Sequence, residues 1–79
     1  MNTLEQRIIT IVESARGING RVLLARLSTE FLSLPNIEIK HSIMNLVENE
    51  EIMEVEYVIG NGPSESLFLP INTRIEVSR

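Results

Sequence analysis

Leu4, Ile8, Ile11, Val12 and Ala15 recur three and four residues apart, the spacing that sets them on one side of an α-helix. Thr3 followed three residues later by Gln6 is a capping-box pair, so a first helix is predicted over about 4–16. Gly17 follows as its terminator, since a residue without a Cβ takes positive φ without strain, and Ile18 and Asn19 form a short extended link. Asn19 is a candidate N-cap for a second helix over about 20–32, with Val22, Leu23, Leu27, Phe31 and Leu32 as its apolar stripe. Pro35 has no amide hydrogen and biases Leu34 toward extended backbone, which makes Ser33, Leu34 and Pro35 a turn. Asn36 can cap a third helix over about 37–48, and Ile39, Ile43, Leu46 and Val47 supply its buried face.

At Ile52 the period changes from helical to two. Met53, Val55, Tyr57 and Ile59 alternate with Ile52, Glu54, Glu56 and Val58, the pattern of a half-buried strand over about 52–59. Gly60, Asn61, Gly62, Pro63 and Ser64 are turn residues, and a returning strand is predicted over about 66–69, stopped by Pro70. The tail keeps Ile71, Ile75 and Val77, so its start is expected to pack on the body while the last residues fray.

Three helices, a turn before the third and a terminal hairpin form one α+β domain, and this order resembles the winged helix-turn-helix superfamily. The resemblance rests on the stretch from Arg21 to Glu48 and on the join from Leu46 to Ile52. At that join an apolar pair and an acid are followed by Asn49, which can take the left-handed backbone where glycine is usual, and then by the first wing strand. The resemblance implies a short strand at Ile18 that pairs with the wing. In DNA-binding members it implies that Ile37 to Glu48 would enter the major groove while Glu56 to Phe68 would touch the backbone.

The composition supports a folded domain, with 43% hydrophobic and 23% charged residues, well away from disordered chains. At 79 residues it can bury only about 60% of its extended-chain surface, and with no cysteine to form a disulfide or thiolate metal site, stability must come from packing. Charged Glu5, Arg7 and Glu13 interrupt the start where a secretory signal would be apolar, and no stretch approaches the ~20 apolar residues of a membrane span. The chain is therefore expected to be soluble and cytoplasmic, without a membrane partner.

Charge changes the picture most. Residues 1–35 hold four arginines against three glutamates, a net +1, whereas residues 36–79 hold three cations against eight glutamates, a net −5. A DNA-binding surface needs cations to neutralise phosphates. The predicted third helix has Lys40 alone, with His41 partly charged at best, and the wing loop has neither Lys nor Arg. Lys40, His41, Ser42, Met44 and Asn45 would face outward, and Arg21 could anchor one phosphate. Glu48, Glu50, Glu51, Glu54 and Glu56 would instead repel a phosphate backbone. Scattered glutamates commonly serve only solubility. Set beside Met44, Met53 and Phe68, however, they form a candidate protein-docking ridge or a charge mimic of DNA.

Catalysis has little to work with: one histidine, no cysteine and no aspartate give no nucleophile with its base. His41 with Glu38 or Glu48 would be an unusual metal site, and Gly60, Asn61 and Gly62 lack the lysine and following helix of a phosphate cradle. No enzyme activity, cofactor or metal is expected. The reading is a small regulatory protein that acts by binding a protein partner, of the kind phages and mobile elements direct at nucleic-acid machinery. The alternative is a dimeric transcriptional regulator with Arg21, Lys40, His41, Ser42 and Asn45 on duplex DNA. A homodimer would draw on the surplus of Ile, Leu and Val.

Overall fold

The computed structural model describes residues 3–73. Three helices come first in the order α1 (Thr3–Ala15), β1 (Ile18–Asn19), α2 (Gly20–Glu30) and α3 (Asn36–Glu48), and the hairpin β2 (Ile52–Val58) and β3 (Ser64–Pro70) closes the domain. The sheet is antiparallel with order β1-β3-β2, so the two-residue β1 lies along β3 while the hairpin forms the wing. This is an α+β winged helix. Ile18 pairs with Phe68, the short strand that the sequence placed there. The predicted Ile75 and Val77 of the tail, and its fraying, lie outside the described residues, as do Arg74, Glu76 and Arg79.

Every helix gives its apolar stripe to one core. Ile8, Ile11 and Val12 from α1 meet Leu23 and Leu27 from α2 and Ile39, Ile43 and Leu46 from α3. Ile18, Ile52 and Phe68 close it from the sheet. Each fully buried aliphatic side chain contributes roughly 1.5–3 kcal/mol, which is the main stabilising term available to so short a chain. Among the described residues no polar side chain is buried.

The predicted stripe of α2 is narrower than its periodicity implies. Leu23 and Leu27 are fully buried, but Val22 is 51% exposed, and α2 stops at Glu30 rather than near residue 32. The Phe31 amide closes the last turn on the Leu27 carbonyl, which throws Leu32 into solvent at 84% exposure. The hairpin strands run 52–58 and 64–70 against predicted spans of 52–59 and 66–69, because cross-strand pairing continues to Val58–Ser64 at the tip and to Ile52–Pro70 at the base.

Two cap assignments shift, at Asn36 and Asn49, and a third, at Gly17, gains a left-handed neighbour. Asn36 does not cap α3; Pro35, with extended backbone, holds that position, and its carbonyl receives the Glu38 and Ile39 amides. The Asn36 side chain instead accepts a hydrogen bond from the Ser28 hydroxyl at 2.8 Å, tying α3 to α2. At the end of α1 Gly17 takes the expected positive φ, at 135°, and Arg16 before it is left-handed as well, with φ 57°. The φ of 135° disfavours any side chain at Gly17, and a Cβ there would also press within 2.8 Å of the end of the Leu69 side chain.

At the end of α3 the left-handed residue is Glu50, with φ 58°, not Asn49, whose φ is −84°. The Glu51 amide donates to the Leu46 carbonyl at 2.9 Å and the Glu50 amide to the Val47 carbonyl at 3.1 Å, the paired bonds of a Schellman stop. A side chain in left-handed backbone costs roughly 1–2 kcal/mol. Glu50→Gly is therefore expected to raise stability by about 0.5–1 kcal/mol in urea unfolding after its greater chain entropy is subtracted, whereas Asn49→Gly gains nothing.

Arg7 clamps α1 to α2 by donating Nε to Glu30 Oε1 at 2.7 Å and Nη2 to Oε2 at 3.1 Å. Those hydrogen bonds hold the Glu30 carboxyl below its ordinary pKa and raise the guanidinium above its own. Both side chains keep more than a third of their exposure, so solvent screens the pair. With the folded pKa under the unfolded one, the clamp is fully formed above the ordinary carboxylate range. Its contribution fades as pH falls through the depressed folded value. Glu30→Gln should flatten that acid limb in a plot of urea midpoint against pH.

Candidate docking surface

Burial of Ile39, Ile43 and Leu46 fixes which side of α3 faces out. Lys40, His41, Met44, Asn45 and Glu48 are exposed on it, joined by Ile37 at 57%. Ser42 is half-buried and turned from that face. The outward residues proposed for base contact are thus placed together apart from Ser42, but in mixed company: one lysine, one histidine, one asparagine, two apolar side chains and a glutamate.

The Schellman stop places Glu50 in the left-handed position just past the exposed Glu48, and β2 carries the ridge onward. Glu48, Glu50 and Glu56 are exposed, and Glu51 and Glu54 half-buried. Among the described residues none of these five meets an arginine. Two take hydroxyls from β3 instead: Ser66 donates to Glu54 at 2.7 Å and Ser64 to Glu56 at 3.4 Å. Glu54 is thereby part of the wing's own bonding. Glu50 and Glu54 also border a shallow groove with Val47, Met53 and Ile71.

Phe68 does not join the outer ridge. It is 5% exposed, and a Cβ on Gly20 would stand 3.0 Å from its ring. Phe68 instead floors a cleft of about 360 Å³ between α2, α3 and β3, together with Leu24, Ile43 and Met44. Arg21 and Lys40 stand on its rim opposite Glu65, and Arg21 Nε lies 3.5 Å from Glu65 Oε1. The phosphate anchor inferred from sequence is therefore partly occupied by an internal carboxylate.

Asn19 sets the shape of this cleft. Its Oδ1 accepts the Arg21 amide at 2.8 Å and the Val22 amide at 3.4 Å, capping α2 as predicted. Its Nδ2 donates to the Tyr57 hydroxyl at 2.7 Å and to Glu65 Oε1 at 3.1 Å. Sequence reasoning assigned no role to Tyr57 or Glu65, whose facing register appears only once the hairpin is paired. The period-two pattern put Tyr57 on one strand face but carried no signal for what it faces.

Among the described residues no three His, Cys, Asp or Glu side chains gather where they could hold a metal ion, and no helix is long and apolar enough to cross a membrane. No protein-family model, curated protein or solved structure matches the chain.

Asn19→Ala should cost about 1–2 kcal/mol in urea unfolding, since it removes the helix cap and both wing contacts. Tyr57→Phe, which removes one acceptor, should cost roughly 0.5–1.5 kcal/mol.

Proposed function

We propose that this chain is a non-enzymatic winged-helix regulator that works by docking another protein on the carboxylate-rich end of α3 and the adjoining wing. The observation that carries the reading is that Glu48, Glu50, Glu51, Glu54 and Glu56 lie at that end of the domain with no arginine against them among the described residues. Their charge is left for a partner, and a basic protein surface answers it.

The fold's usual use against duplex DNA is poorly served by this chain. Lys40 is the lone lysine or arginine on α3, Arg21 is shared with Glu65, and the wing tip presents Val58 and Ile59, 56% and 71% exposed, where a DNA-binding wing needs cations. Glu48 closes the same helix and Glu50 follows just past its end, and both oppose a phosphate backbone.

The test replaces Glu48 and Glu50, which make no side-chain bonds among the described residues, and spares Glu54, whose carboxylate the wing uses. Capture of the cellular partner should collapse in Glu48→Lys with Glu50→Lys and weaken with salt in the parent chain. Undiminished capture by the double variant would remove the acidic surface from the function. In parallel, a mobility shift of mixed-sequence duplex DNA is expected to be absent at about 50 mM salt, where even weak phosphate contact registers. A clear shift there transfers the function to nucleic acid.

A further inference from the structure

The cleft between α2, α3 and β3 has a chemistry unlike that of the ridge beside it. Its floor of Leu24, Ile43, Met44 and Phe68 is apolar, and Met44 remains 41% exposed within it. Its rim carries two of the five cations in the described part of the chain. Glu65 accepts a hydrogen bond from Asn19 and meets Arg21 only loosely at 3.5 Å, and the Arg21 side chain is 76% exposed. Lys40 makes no ion pair among the described residues. The rim is thus locally positive in a chain of net charge −4.

We infer that this cleft takes one large apolar side chain from a segment of the partner protein, with a carboxylate next to that side chain set against Lys40 and Arg21. The inference rests on the protein-docking reading and gives the partner a polarity that the acidic ridge alone does not. Lys40, Met44 and Glu48 succeed one another at four-residue steps along α3, a span of about 12 Å. A segment laid along α3 therefore sets its acid and its anchor against Lys40 and Met44 at the cleft, and any base farther along, outside the cleft, against Glu48. The volume of about 360 Å³ lies at the small end of ligand sites, which suits an anchoring side chain better than a whole cofactor. An apolar anchor seated in a pocket with charges at its rim is also the usual way an interface concentrates its affinity.

The test titrates the isotopically labelled full chain with three end-capped tripeptides, Glu-Phe-Glu, Lys-Phe-Lys and Glu-Ser-Glu, and follows amide resonances. Glu-Phe-Glu is expected to shift Gly20, Leu24, Met44 and Phe68 saturably, with Lys-Phe-Lys at least about fivefold weaker and Glu-Ser-Glu weaker still. Lys40→Glu, an exposed change that spares the core, should invert the preference between the first two peptides. The inference is overturned if Lys-Phe-Lys binds the parent chain as well as Glu-Phe-Glu, if the shifts fall outside the cleft, or if no peptide binds at millimolar concentration. Because the titration involves neither Glu48 nor Glu50, its failure leaves the acidic ridge standing, and failure of the ridge leaves the cleft to be judged by its own peptides.

Discussion

One amide side chain holds the two halves of this domain in register. Asn19 spends its oxygen on the first turn of α2 and its nitrogen on the wing, so the direction of the helix and the height of the hairpin are set by the same planar group. An aspartate or serine could cap the helix equally well. Neither could cap it and also donate to Tyr57 and Glu65 from a second atom, which is why asparagine is the residue suited to this place. Gly20 next to it lets the backbone approach the Phe68 ring, and a side chain there would press on it at 3.0 Å. The cleft beside α3 is a consequence of these two neighbours, one bonding across the gap and the other permitting it to close.

The fold then sorts the glutamates by use. Glu30 is bound to Arg7 and stitches α1 to α2, while Glu65 lies under Asn19 and Arg21 and serves the wing. Glu54 and Glu56 accept serine hydroxyls from the neighbouring strand, so they retain their charge while contributing to the hairpin. Glu48 and Glu50 have no such duty among the described residues. Glu50 even occupies a backbone conformation that disfavours its side chain. A residue tolerated against local preference, with a charge that no internal partner neutralises among the described residues, is one that folding alone does not account for, and it is the position on which the proposed docking rests.

The periodicities in the sequence located all three helices and both hairpin strands, because burial of Ile8, Leu23, Leu27, Ile39, Leu46 and Ile52 is the term that outweighs the others in a chain this small. The errors lie at the ends, where burial is silent. Asn49 is the better left-handed residue by type, yet Leu46 and Ile52 must both enter the core. The number of residues between them puts the reversal on Glu50. Asn36 is the better cap by type, yet its neighbour Ser28 on α2 claims the side chain. Phe68 shows the same limit at the site: alternation assigned it to a strand, but whether its face met the core or the solvent depended on pairing with Ile18. The acidic surface was legible because charge is a property of composition. The cleft was not, because its walls come from three separate elements.

The mixed character of α3 separates protein recognition from polyanion recognition. A phosphate backbone offers the same charge at every step, so a helix lying along it gains from each cation and loses from each carboxylate. Over two turns α3 passes from Lys40 through Met44 to Glu48, and whatever attraction the first offers a phosphate chain is opposed by the last. Met44 and the exposed Ile37 gain nothing from phosphate at all. A protein surface can vary its chemistry over the same distance and place acid, apolar and basic groups in turn. The sequence of groups along α3 is unfavourable for a uniform ligand and suits the patterned one that the proposed docking calls for.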